Sequence, residues 1–130
     1  ELQQLLNPFI LQAGDRYFEK FVWFKSNRTQ QPITQITDCR FNRYQPGQVM
    51  RMHHDHIYSI FDGKRKGIPV LSFILNFNDD YEGADLYFWD DTTFGLGKGD
   101  IIIWPSNFLY PHGVSETISG VRYSAVTWGY

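Results

Sequence analysis

The sequence predicts a mainly β fold, a sandwich or barrel buttressed by an N-terminal helix or helices. Three observations carry this: short β-rich runs follow one another from Pro32 onward, turn-forming residues separate them, and no helical pattern interrupts them. The runs are "ITQIT", "CRFNRY", "QVMRMHHDH", "PVLSFILNF", "ADLYFWD", "DIIIWP" and "GVRYSAVTWGY". Between them stand Gln45-Pro46-Gly47, Asp62-Gly63, Asn78-Asp79-Asp80 and Gly97-Lys98-Gly99.

Ahead of Pro32 the pattern is helical. Asn7-Pro8 reads as an N-cap followed by proline at the first helical position. Ile10, Ala13, Tyr17, Phe21 and Phe24 then recur at helical spacing, with Gln12, Asp15, Arg16, Glu19 and Lys20 opposite. Gly14 is a candidate break into two helices. The expected organisation is one domain over 1–130, with a helical buttress over about 1–30 and a β core over about 32–130.

Composition excludes several functions. A net charge of −2 provides no broad basic surface, so no nucleic acid is expected. No secretory signal and no apolar run of spanning length are present, so no membrane is expected either. Cys39 is the single cysteine; no internal disulfide can form, which suits a reducing, cytoplasmic setting.

The stretch "MRMHHDHIYS" concentrates ligand chemistry, since imidazole and carboxylate are the usual ligands of divalent metals. Residues two apart share a strand face, so the stretch offers His53 with Asp55, or His54 with His56. His112 is the remaining histidine. His53, Asp55 and His112 would form the two-histidine, one-carboxylate facial triad of non-haem Fe(II) oxygenases. His54, His56 and His112 would form a three-histidine site, as for zinc or in a cupin-like barrel.

The last run bears on the choice. Arg122, Ser124, Val126 and Trp128 alternate onto one face, which places an arginine among apolar neighbours. A guanidinium cannot shed its charge and needs an anion there, such as a ligand carboxylate gripped in a bidentate fork. Ser124 on the same face would add a hydrogen bond.

Three segments together, "YQPGQVMRMHHD", "LSFILNFNDDYEGADLYF" and "GDIIIWPSNFLYPHGVSETISGVRYSAVTW", resemble the Fe(II)/2-oxoglutarate-dependent dioxygenases, in their prolyl 4-hydroxylase-like branch. The likeness covers roughly residues 39–128 and rests on an ordered set: Tyr44, Gly47, His53, Asp55, His112 and, ten residues on, Arg122. It implies a double-stranded β-helix (jelly-roll) core. It implies that His53, Asp55 and His112 bind Fe(II), and that Arg122 holds the distal carboxylate of 2-oxoglutarate. By the same resemblance Tyr44 hydrogen-bonds the co-substrate, and Ser124 matches an Arg-X-Ser pattern of related enzymes. The implied reaction consumes O2 and 2-oxoglutarate, releases succinate and CO2, and hydroxylates a prolyl residue of a protein or peptide, with ascorbate as reductant. Related halogenases lack the carboxylate, so Asp55 favours hydroxylation. One departure is visible: some prolyl hydroxylases carry a tyrosine in the "LSFILN" strand, where Ile74 stands here.

The segment "IYSIFDGKRKGIP", residues 57–69, reads as a solvated hairpin tip. The alternative is a lid closing over a peptide, with Tyr58 and Phe61 contacting substrate and Trp128 shielding the centre from water. Two rival functions exist. A cupin-like isomerase or small-molecule binder wants His-X-His followed shortly by glutamate, and none lies in 57–69. Nucleic-acid demethylases of the same superfamily carry a second arginine where Trp128 stands. A dioxygenase acting on a non-prolyl substrate remains the nearest alternative.

Overall fold

The computed structural model describes residues 1–27, 32–55 and 68–130, with Lys25 described for its backbone alone. His56, Tyr58, Phe61 and nearly all of the expected hairpin tip or lid lie outside the described residues.

The strand "LSFILN", β3 (Leu71–Asn76), is buried at every position, and its two faces serve different layers. Leu71, Phe73 and Leu75 pack against Ile10 and Phe18 of α1 (Leu2–Phe18). Ile74 faces the other way, into a cluster with Leu86, Phe88, Trp104, Val126 and Trp128. Phe73 is wholly buried, a contribution of about 1.5–3 kcal/mol for a side chain of this type.

The other strands are β1 (Arg40–Tyr44), β2 (Met50–His53), β4 (Tyr81–Gly83), β5 (Leu86–Phe88), β6 (Thr93–Phe94), β7 (Ile101–Pro105), β8 (His112–Val114), β9 (Thr117–Gly120) and β10 (Arg122–Gly129). They form two four-stranded antiparallel sheets, ordered β1-β10-β3-β7 and β2-β8-β5-β6, with β4 and β9 as a separate pair. Apart from the β5–β6 hairpin and the separate β4–β9 pair, the chain passes back and forth between the two sheets, which is the winding of a double-stranded β-helix. Gly47 adopts φ +82° in the turn before β2, a conformation that glycine enters without steric penalty.

The helical buttress is present, but its bounds differ from expectation. α1 starts at Leu2, and Pro8 lies inside it rather than at its first position. Gly14 does not break it; the residue is buried opposite the Phe73 ring, where packing outweighs a propensity cost of about 1 kcal/mol. The break falls at residues 19–21, before α2 (Val22–Ser26), and Phe21 is exposed rather than core. "ITQIT" forms no strand, only an isolated bridge from Ile36 to Gly129.

Candidate metal centre

β2 and β8 bring two histidines face to face. The pairing starts with Met50 opposite Val114 and ends with His53 opposite His112, so β2 spends one more residue than β8 over the same stretch. That bulge turns His53 onto the interior face, which Met50 already occupies; unbroken alternation would have sent it outward. Gly113 permits the close approach, because a Cβ there would lie 2.5 Å from the Tyr87 hydroxyl and 2.7 Å from the Met50 carbonyl oxygen. β2 then ends, and Asp55 reaches the same centre from the segment beyond it.

One ligand atom each from His53, Asp55 and His112 lie within 4.8 Å of one another. His53 Nε2 is 3.5 Å from Asp55 Oδ1, and His112 Nε2 is 3.6 Å from Asp55 Oδ2. Both Nδ1 atoms face carbonyl oxygens, His53 to Arg51 at 2.8 Å and His112 to Tyr110 at 3.0 Å. A carbonyl only accepts, so each Nδ1 carries the hydrogen and the neutral ring presents its Nε2 lone pair inward.

The carboxylate is equally constrained. Ser72 Oγ donates to Asp55 Oδ2 at 2.6 Å, and Ser106 Oγ lies 2.7 Å from Ser72 Oγ. Burial would raise the Asp55 pKa, but His53, Ser72, His112 and the Trp128 indole together hold it at about 2. The Trp128 N–H acts here as a nearby dipole, since it makes no hydrogen bond of ordinary geometry. Asp55 raises the His53 pKa, whereas burial lowers that of His112. An ionised carboxylate and a neutral imidazole are the forms that bind divalent metal. Trp104 meets the His112 ring edge-on at 4.7 Å, and Phe88 lies 5.8 Å away, so this imidazole is walled by aromatics.

Farther along the same interior, Arg122 is 1% exposed. Its Nε donates to Asn76 Oδ1 at 2.8 Å and its Nη1 to the Ala84 carbonyl at 2.9 Å. Among the described residues its Nη2 has no hydrogen-bond partner, and no carboxylate pairs with the guanidinium. Burial presses its pKa down, opposed by Tyr81, Tyr44 and Asp85. The Tyr44 ring lies beneath the guanidinium at 5.7 Å, and among the described residues its hydroxyl meets only the Met50 sulfur at 3.8 Å, a weak acceptor. Ser124 is buried beside Asn76 across the β10–β3 ladder. Among the described residues, the buried side-chain atoms without a partner are Nη2 of Arg122 and the indole nitrogens of Trp104 and Trp128; all are donors. An interior rich in donors and short of acceptors suits an anionic, oxygen-rich ligand.

The sequence pattern thus grouped three residues whose ligand atoms do converge. His54 is exposed, and His56 of the three-histidine alternative lies outside the described residues. Ile74 is core, between Ser72 and Asn76, and Trp128 lies against Asp55 with Arg40 over its ring at 5.4 Å. Sequence reasoning missed Ser72, Asn76 and Ser106. Two of these left a signal: on a two-residue period, "LSFILN" puts Ser72, Ile74 and Asn76 on one face, two polar residues in an otherwise apolar strand.

Fold and site together define a class, the double-stranded β-helix that gathers two imidazoles and a carboxylate inside its sandwich. The chain belongs to the 2OG-Fe(II) oxygenase superfamily, whose profile matches residues 39–130. It is 33% identical over 99 residues to a PKHD-type hydroxylase of Idiomarina loihiensis, covering 72% of this chain and 42% of that protein. It is 32% identical over 107 residues to prolyl 4-hydroxylase 1 of Arabidopsis thaliana, covering 66% and 38%. The chain therefore spans less than half the length of these relatives. Among solved structures, the viral collagen prolyl hydroxylase of Paramecium Bursaria Chlorella virus-1 superimposes with a TM-score of 0.66 at 18% identity, over 91% of this chain and 69% of that one. A likeness at that identity is one of fold.

Proposed function

We propose that this chain is the catalytic module, over residues 1–130, of an Fe(II)- and 2-oxoglutarate-dependent dioxygenase that hydroxylates prolyl residues in a protein or peptide. His53, Asp55 and His112 would hold the metal, and Arg122, with Tyr44 and Ser124, the distal carboxylate of 2-oxoglutarate. The observation that carries the reading is one interior in which this ligand cluster coexists with a buried arginine that forms no ion pair among the described residues. Both halves fit the groups they would receive: two Nε2 lone pairs and an ionised carboxylate for a cation, unspent donors for an anion. Bound together, Fe(II), 2-oxoglutarate and O2 supply an oxidative decarboxylation, giving succinate and CO2, coupled to hydroxylation of a C–H bond.

The protein's residues perform the remainder. Arg51 and Tyr110 fix the imidazole tautomers through their carbonyl groups. Ser72 and Ser106 hold one oxygen of Asp55 so that the other keeps its orientation. Phe88, Trp104 and Trp128 keep bulk water from the buried side of the centre. Prolyl specificity is supported by the similarity to the Arabidopsis prolyl 4-hydroxylase 1, and a cytoplasmic location by the lone Cys39. No helix is long and apolar enough to cross a membrane among the described residues.

The test is succinate release from 2-oxoglutarate under air with Fe(II) and ascorbate, with and without a proline-rich peptide. Iron-dependent succinate that rises with peptide is expected. Iron-dependent succinate indifferent to peptide would redirect the substrate to a non-prolyl one, and no succinate from folded protein would overturn the reading.

A further inference from the structure

A buried guanidinium is ordinarily matched by a carboxylate, because an unpaired charge in the interior is costly. Arg122 is held instead by two neutral oxygens, Asn76 Oδ1 and the Ala84 carbonyl. Asn76 is itself 1% exposed and its orientation is over-determined. Its amide nitrogen lies 2.7 Å from the Asn78 carbonyl, 2.9 Å from that of Leu96, 3.2 Å from that of Gly97 and 3.0 Å from the Tyr81 hydroxyl. Carbonyl oxygens only accept, so the NH2 belongs on that side and Oδ1 must face Arg122.

An aspartate of the same shape would accept from Nε equally well. It would also place a full negative charge against the guanidinium, and the arginine would then be paired within the protein. Asparagine aims the group without neutralising it. We propose that Asn76 is a positioning residue that fixes Arg122 through a neutral acceptor. It thereby reserves the positive charge and the Nη2 edge for the distal carboxylate of a 2-oxo dicarboxylate, and sets preference for that class over 2-oxo monocarboxylates. This inference rests on the co-substrate reading above.

The measurement is calorimetric titration of Mn(II)-loaded protein, which does not require turnover, with 2-oxoglutarate and with 2-oxobutyrate, which lacks the distal carboxylate. Unaltered protein should prefer 2-oxoglutarate. In Asn76→Asp the affinity for 2-oxoglutarate should fall by about tenfold or more, the scale of a lost charge-assisted hydrogen bond, with 2-oxobutyrate binding unchanged. Asn76→Ser removes the acceptor without adding charge and carries the test if the aspartate, facing the Leu96 and Gly97 carbonyls, does not fold. It should lose part of the preference, again with 2-oxobutyrate unchanged. Full retention of the preference in the folded variants overturns the proposal, and so does parallel loss of both ligands, which would mark a merely structural role. Unaltered protein that binds the two acids alike, or an Arg122→Ala variant that keeps the preference, would instead overturn the co-substrate reading itself.

Discussion

The interior face of β3 has two ends, and they are built on opposite principles. At one end Ser72 donates to Asp55, both carboxylate oxygens face imidazole nitrogens, and both imidazoles are tied to backbone carbonyls. The groups there are oriented by the protein before anything binds. At the other end Asn76 holds an arginine that forms no ion pair with a described carboxylate. Four residues of strand, about 13 Å, separate the two. The contrast distinguishes a site whose ligands are pre-oriented from a site whose charge is kept in reserve. Both cost stability, the first through convergent polar groups and the second through a desolvated cation.

The strongest way to break the contrast is at the pre-oriented end. Asp55→Ala should abolish metal-dependent succinate formation, whereas His54→Ala, one residue away and exposed, should leave most of it. Equal losses would show that the two faces of this segment are not functionally distinct. At the reserved end, Arg122→Ala should raise the 2-oxoglutarate requirement by about 2–3 kcal/mol, roughly 30- to 150-fold. An unchanged requirement would place the co-substrate elsewhere.

Ser72→Ala probes pre-orientation without touching a ligand. The hydroxyl donates to Asp55 Oδ2 and contacts Ser106, so its loss frees the carboxylate to rotate and leaves the charge in place. Metal affinity should fall by about tenfold, at the lower edge of what outer partners contribute. Calorimetric titration with Mn(II) reads this directly. If affinity holds while the melting temperature falls, Ser72 serves the fold and not the metal.

How far the sequence disclosed this arrangement depends on the range of the interactions. The spacing of His53 and Asp55 was readable, and so was the inward face of β10, because Arg122, Val126 and Trp128 obey a two-residue period over an eight-residue strand. The means by which His53 reaches the interior was not. It depends on a bulge, fixed by the register against β8 and by the narrow fit at Gly113, and one-dimensional periodicity carries no register. β4, β6, β8 and β9 were missed as strands because two to four residues show no period; their pairing exists only in three dimensions. The helix bounds slipped for the reverse reason. Pro8 and Gly14 are strong local signals, yet the helix runs through Pro8, and packing against Phe73 outweighs the propensity of Gly14. Asn76 was overlooked because an asparagine at a strand end reads as a turn residue until its neighbours are known.

Tyr44 gives the smallest expected effect and the finest test of the reserved end. Its ring lies 5.7 Å from the Arg122 guanidinium and its hydroxyl has a thioether sulfur as its only described partner. Tyr44→Phe keeps the ring, and with it the cation–π contact, while removing a hydroxyl that stabilises the free protein very little. The melting temperature should therefore stay put. If the hydroxyl serves the co-substrate, the 2-oxoglutarate requirement should rise by the worth of one neutral hydrogen bond, about 1 kcal/mol or roughly fivefold. A rise with no change in melting temperature would assign the hydroxyl to the ligand. A fall in melting temperature with an unchanged requirement would return it to the fold, and Arg122 would then hold the distal carboxylate without help from Tyr44.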